Sequence, residues 1–265
     1  MLACPKCHTA LCAFGDTPPP CCPSCAFPIA QYDGVPSFLE GEESDATRAS
    51  FEASALLSES SPAQAMHFRS MGLVRSTARS FQRLRGSLDS ASTILDVGCG
   101  NGLLAEMIGA PFPTVGVDYS LGMCRAARAR GIFAVHASAL KLPFPNNSFD
   151  LVCCSEVIHY YDDVSLFLTE LARVTKPGGR VIISAPNSES ALRKITRNLR
   201  NTNGDPVIHG RSIETLLDGT PKPLLEPENA CWMLFPFPQV RKTSAARWRG
   251  NAFATNFAVS YLKQA

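Results

Sequence analysis

The sequence predicts an α/β protein built on a doubly wound, mostly parallel seven-stranded sheet, with a small module ahead of it. Three observations predict this. Short apolar runs alternate with amphipathic stretches between about residues 92 and 186, a glycine-rich turn follows the first such run, and six of the eleven cysteines fall within residues 4–25. Alternating strand and helix signals specify parallel strands joined by crossover helices. The 265 residues, 45% hydrophobic, suffice for one sizeable core and an appendage.

The bulk numbers narrow the class. Met1-Leu2-Ala3 runs straight into Cys4-Pro5-Lys6-Cys7 with no apolar leader, and no run of 18 apolar residues occurs. The expectation is therefore a cytoplasmic chain without a membrane span, in which cysteines are free thiols or metal ligands. The net charge of +2 argues neither for nor against a polyanionic partner. Residues 190–265 are more basic, with 11 Lys/Arg against 5 Asp/Glu. Oligomeric state is not written in these features.

The cysteine-rich opening reads CPKC, fourteen residues, then CPSC. Two C-x-x-C turns supply four thiolates, and zinc takes four such ligands in a tetrahedron. Cys4, Cys7, Cys22 and Cys25 are the candidate ligands. Cys21 can substitute for Cys22, and Cys12 or His8 can compete. A stretch this poor in apolar residues draws much of its folding energy from the metal, on the order of 10 kcal/mol. Four protein ligands leave no open position, so the zinc is expected to be structural. The module is set at residues 1–39 and a Glu/Ser/Ala-rich linker at 40–62.

The larger unit, residues 63–265, opens with a helical pattern over 63–88, where Pro62 follows Ser60 and Ser61 as possible caps. Ile94-Leu95-Asp96-Val97 reads as a strand leading into Gly98-Cys99-Gly100-Asn101-Gly102, and residues 103–108 as a helix. So tight a strand-to-helix turn needs residues without Cβ and lets a ligand approach the backbone at the carboxyl end of a strand. A second strand, Thr114 to Asp118, ends on an acid placed to accept the hydroxyls of a ribose over the turn. Further strands are expected at 132–136, 149–154 and 180–184. A helix carries Val164, Phe167, Leu168, Leu171 and Ala172, and Lys176-Pro177-Gly178-Gly179 forms a turn. Alternation over 253–262 suggests one of the last two strands, and 187–250 holds the cap over the substrate.

The segments ILDVGCGNG, VGVDYS, LKLPFPNNSFDLV and VTKPGGRVIIS, in that order, resemble the class I S-adenosylmethionine (SAM)-dependent methyltransferases, in particular the group of ubiquinone/menaquinone-type enzymes. The cysteine pairs with YDGVPSFL resemble the zinc-ribbon start of some methyltransferases and the small zinc-binding activator subunit of tRNA methyltransferases. The resemblance implies a Rossmann-like fold and specific roles. Asp96, Gly98, Cys99 and Gly100 would line the methionine end of SAM, Asp118 would bind the ribose, and Tyr119 and Met123 would lie near the adenine. The group often has Asp where Ser138 stands. Ser138 is shorter and uncharged, which shifts adenine recognition toward the Ala139 N–H. Ser155 and His159 would face the methyl group and substrate.

SAM chemistry needs alignment first and a base only for an acceptor whose proton has a high pKa. His159 is the candidate base, or else a hydrogen-bond partner of SAM. Tyr160 and Tyr161 offer an aromatic wall or simple packing, while Cys99, Cys153 and Cys154 read as small core residues. Glu156 reads as structural. Trp232, Met233, Phe235 and Phe237 form either a hydrophobic acceptor pocket or core. The expected acceptor is a small hydrophobic metabolite. RNA is the rival, on the basic groups Arg193, Lys194, Arg197, Arg200 and Arg241, Lys242, Arg247, Arg249; zinc modules also precede large-subunit rRNA guanine methyltransferases. A binding subunit without transferase activity is a third reading, which the intact glycine turn and Asp118 oppose.

Overall fold

A computed structural model describes residues 1–39, 71–109, 113–161, 163–191, 212–234, 239–244 and 254–264. The linker at 40–62, the first basic group and Phe235 and Phe237 lie outside the described residues, as do Arg247 and Arg249. In chain order the strands are β1 (Leu2–Ala3), β2 (Ala10–Cys12), β3 (Ala30–Tyr32), β4 (Val35–Ser37), β5 (Ile94–Val97), β6 (Thr114–Asp118), β7 (Phe133–His136), β8 (Phe149–Ser155), β9 (Thr175–Pro186), β10 (Leu225–Leu234), β11 (Gln239–Ser244) and β12 (Asn256–Lys263). The helices are α1 (Met71–Leu84), α2 (Leu103–Gly109), α3 (Leu121–Ala129), α4 (Val164–Val174) and α5 (Ile213–Asp218), with a 3₁₀ turn at Ile158–Tyr160.

One ten-stranded sheet runs β11-β10-β12-β9-β8-β5-β6-β7-β4-β3. From β4 to β9 the neighbours are parallel; β12 enters antiparallel between β9 and β10. The seven expected strands are therefore its centre, β7 to β10. Three more extend it: β11 at one edge and the β3–β4 hairpin of the N-terminal module at the other. Chain order reverses between β5 and β8, which is the switch point where open α/β sheets bind ligands.

Both faces of the sheet are covered, so its strands read as apolar runs. Leu95, Val97, Val152, Cys154, Val181 and Ile183 join one cluster with α4 residues Phe167, Leu168 and Leu171. Their alternate neighbours Ile94, Leu151, Cys153 and Ile182 join another with Ala78, Phe81 and Leu84 of α1 and Leu104 and Ile108 of α2. Asp163 caps α4 by accepting from the Leu166 N–H, and Ser120 caps α3 by accepting from Met123. Arg173, at the end of α4, donates to the carbonyls of Leu142 and Phe144 and pairs with Glu170, fixing the loop before β8.

Two local expectations differ. Lys176-Pro177-Gly178-Gly179 lies inside β9 and does not precede it. Phe149 pairs with Thr175 and Leu151 with Arg180, so the glycines form a bulge within a longer strand. The strand expected over 253–262 is β12, and residues 256–261 are all buried, because it runs inside the sheet with both faces covered. Among the described residues no helix is long and apolar enough to cross a membrane.

Candidate functional site

The module folds as two matching knuckles. In the first, Cys4 N–H donates to the Thr9 carbonyl and His8 N–H to the Cys4 carbonyl; in the second, Cys22 N–H donates to Phe27 and Ala26 N–H to Cys22. His8 and Ala26 occupy the same place in each loop, and both have positive φ, 59° and 57°. The Sγ atoms of Cys4, Cys7, Cys22 and Cys25 all lie within 4.8 Å of one another. A tetrahedron of thiolates with ~2.3 Å bonds to zinc has edges of ~3.8 Å, so the four sulfurs fit that ion. Hydrogen bonds to the Thr9 hydroxyl and amide bring the Cys7 thiol down to about 6, favouring the metal-binding thiolate. Cys21 is exposed and stands outside the group, and Cys12 is directed at the Asp16 carbonyl.

The glycine turn is built at the carboxyl end of β5. Gly98 and Cys99 N–H groups both donate to the Val117 carbonyl, tying the turn to β6. Gly98 has φ 73°, and a Cβ there would fall 2.1 Å from Val157 Cγ2. Gly100, φ 53°, has nothing within 4 Å of an added Cβ, so its outer side is open to an approaching ligand. Asp118 Oδ2 accepts from Gly100 N–H at 2.8 Å and Oδ1 from Ser120 N–H at 2.9 Å. Asp96 is buried on the same face of β5 as Ile94. Tyr119 and Met123 are half-buried beyond Asp118, Ala139 is buried, and Ser138 Oγ accepts from Leu140 N–H.

A polar corner forms where β8, β9 and β12 converge. Ser184 Oγ donates to Ser155 Oγ at 3.0 Å, Asn256 Nδ2 donates to Glu156 Oε1 at 3.0 Å, and Glu156 N–H donates to the Ser184 carbonyl. Glu156 is buried and has φ 60°, a conformation that costs a non-glycine residue about 1 kcal/mol or more. His159 is buried on the 3₁₀ turn, its ring 4.3 Å from that of Tyr160. Tyr161 turns into the core against Phe167, and burial pushes its hydroxyl pKa up. Burial likewise raises the Cys99 and Cys153 thiols well above their ordinary value, as inert core residues require. Trp232 packs on Phe257, and Met233 lies in a core cluster with Cys231 and Ala258.

The structure thus brings Gly98, Cys99, Gly100 and Asp118 together at the switch point, with Ser155 at the end of the adjoining strand and His159 just past it. Sequence reasoning missed Ser184 and Asn256, which complete the polar corner, and the Ser37–His136 contact beneath Tyr119. No local motif marks them, because their partners lie 29, 100 and 99 residues away in the chain. A cleft of about 270 Å³, lined by Arg85, Asp150, Lys176 and Arg180, lies at the opposite ends of the strands. Its Lys176 and Arg180 are taken up by Asp150 and Glu228.

Comparison with known proteins agrees with this geometry. Residues 95–183 match the family described as "Methyltransferase domain". A demethylmenaquinone methyltransferase of Corynebacterium kroppenstedtii is 38% identical over 91 residues, covering 34% of this chain and 40% of the relative. The matched stretch spans less than half the length of the curated relatives. Among solved structures, a SAM-dependent methyltransferase from Thermotoga maritima, described as a possible histamine N-methyltransferase, shares the fold with a TM-score of 0.57. It is 24% identical and covers 72% of this chain and 91% of that one. A chain from the Haloferax volcanii complex of the Trm112 methyltransferase activator with a putative methyltransferase shares it with a TM-score of 0.58. It is 18% identical and covers 83% and 98%. Residues 95–183 thus match a methyltransferase domain on a sheet shared with SAM-dependent methyltransferases, and the curated relatives they resemble are demethylmenaquinone methyltransferases.

Proposed function

We propose that this chain moves a methyl group from SAM to a nucleophilic N, O or C atom of a small hydrophobic or aromatic acceptor, and that Cys4, Cys7, Cys22 and Cys25 hold a structural zinc ion. The observation that carries the cofactor reading is the bond from Gly100 N–H to Asp118, which sets a carboxylate beside the open side of the turn at the switch point. In this reading Asp118 accepts from the ribose hydroxyls, and Tyr119 and Met123 flank the adenine. Ser138 and Ala139 meet its edge, and Asp96, Gly98, Cys99 and Gly100 surround the methionine end with Ser155 close by. The demethylmenaquinone methyltransferase relatives, named for a quinone acceptor, favour a small aromatic acceptor over RNA.

SAM, when bound, supplies a methyl carbon already activated by its sulfonium. The residues of this chain contribute alignment, worth ~7–11 kcal/mol at best, and a dry site. His159 takes the proton that the acceptor releases, with the Tyr160 ring against its face. The test is calorimetric titration with S-adenosylhomocysteine (SAH). The wild-type chain is expected to bind it, and Asp118→Ala to bind at least tenfold more weakly, about 1.4 kcal/mol. Equal affinity in the variant would sink the cofactor assignment, and no binding to either chain would leave a non-enzymatic role. Metal analysis is expected to find one zinc per chain.

A further inference from the structure

The cysteine module and the cofactor wall meet at one buried side chain. Strand β4 pairs in parallel with β7 through Ser37 and His136, and Phe38 N–H donates to the His136 carbonyl. The His136 side chain is 3% exposed. Its Nδ1 lies 2.8 Å from Ser37 Oγ and its Nε2 3.2 Å from the Tyr119 carbonyl oxygen. A carbonyl can only accept, so Nε2 carries the proton and donates to Tyr119, and the Ser37 hydroxyl donates to Nδ1. The Tyr119–Ser120 peptide is thereby held from two sides. His136 grips the Tyr119 carbonyl, and Asp118 itself grips the following Ser120 N–H.

Two further contacts tie the same hairpin to this region. Val35 of β4 packs in a cluster with Cys99 of the glycine turn, Cys124 and Ala127 of α3, and Ala134 of β7. Asp33, in the hairpin turn, pairs with Arg125 of α3 at 2.7 Å. On the other face Phe14 of the module sits among Phe133, Phe144 and Phe149, with ring centroids 5.6, 6.0 and 6.2 Å away. The module is built into the catalytic sheet and its core.

We infer that His136 is a positioning residue through which the folded cysteine module sets the Asp118–Tyr119 segment, so that metal occupancy and SAM affinity are thermodynamically linked. The inference rests on the proposed cofactor and zinc sites, and acts through the chain Ser37–His136–Tyr119. Linkage is reciprocal: if metal tightens cofactor binding by some factor, cofactor must tighten metal binding by the same factor. A module acting only as a separate surface would show no such factor.

The experiment uses the full zinc-loaded chain. SAH affinity is measured by calorimetry, and zinc affinity by competition with a chromogenic chelator, with and without saturating SAH. Failure of the wild-type chain to bind SAH would overturn the proposed function and this inference with it, whereas binding without coupling would overturn the inference alone. Given binding, SAH is expected to strengthen zinc retention at least fivefold. His136→Leu, which removes both bonds, is expected to weaken SAH binding tenfold or more and to bring the coupling factor to about one. His136→Gln keeps an amide that can donate toward Tyr119 and accept from Ser37, and is expected to restore affinity to within threefold. Should His136→Leu fail to fold, Ser37→Ala decides, with an expected severalfold loss of both SAH affinity and coupling. A coupling factor of one in the wild-type chain, or an unchanged factor in His136→Leu or Ser37→Ala, overturns the inference.

Discussion

At the scale of single residues, the glycine turn separates two effects that are usually confounded. Gly98 and Gly100 both have positive φ, but only Gly98 is packed, with Val157 in the space a Cβ would need. Gly98→Ala is expected to lose stability by about 2 kcal/mol or more, from overpacking added to backbone strain, measured by denaturant unfolding. Gly100→Ala meets only the strain, about 1 kcal/mol, while its methyl group would enter open space beside the turn where the cofactor is proposed to lie. It is expected to stay folded and to lose SAH affinity at least tenfold. His159 is tested differently. His159→Asn is expected to lower kcat about 100-fold with SAH affinity within threefold of wild type, if it serves as the base. An unchanged kcat with weakened SAH binding would make it a cofactor contact instead. The contact between the glycine turn and Asp118 was legible because it is local: only twenty residues separate Gly98 from Asp118. Glu156 illustrates the opposite case. Its partner Asn256 comes from the last strand, and nothing in a window around either residue announces the pair.

At the scale of elements, strands β5 to β8 and helices α2 and α4 follow from apolar periodicity, and the structure agrees with the sequence there to within a residue or two, whereas α3 was not singled out. The elements that were not legible owe their shape to neighbours. β9 is longer than its apolar run because β8 pairs with it on both sides of the Gly178–Gly179 bulge. β3 and β4 are three residues each, too short to show a period, and exist because β7 offers an edge. The start of β8 also carries an electrostatic clasp. Asp150 accepts from Lys176 Nζ at 2.8 Å and from the Thr93 N–H and hydroxyl. Burial pushes the Asp150 carboxyl up, but these donors outweigh it and hold it below its ordinary value. Its folded pKa is thus lower than its unfolded one. The clasp therefore stabilises fully above about pH 4 and fades as pH falls through the depressed value. The Lys176 side chain is 41% exposed, so Asp150→Asn is expected to cost only about 1 kcal/mol at pH 7, shrinking toward zero on acidification. A constant difference between the two unfolding curves from pH 7 to 2 would contradict this account.

At the scale of the whole molecule, the doubly wound architecture was readable from alternation alone, whereas the integration of the module was not. Cysteine spacing describes a metal site without saying where it rests. The decisive contacts, Leu2, Cys4, Cys22 and Phe27 in the same cluster as Val152 and Phe144, join segments over a hundred residues apart. The hairpin also has a protective consequence. β7 is the last strand of the catalytic sheet proper, and β4 and then β3 cover its hydrogen-bonding edge. If the knuckles hold zinc as proposed, stripping it is expected to loosen that cover and bare an apolar strand, Phe-Ala-Val-His, able to pair with a second chain. Chelator treatment should therefore raise light scattering before it abolishes helical circular dichroism, and added zinc should prevent the rise. The thiolate knuckles would then guard colloidal solubility, shielding a sticky seam from self-association.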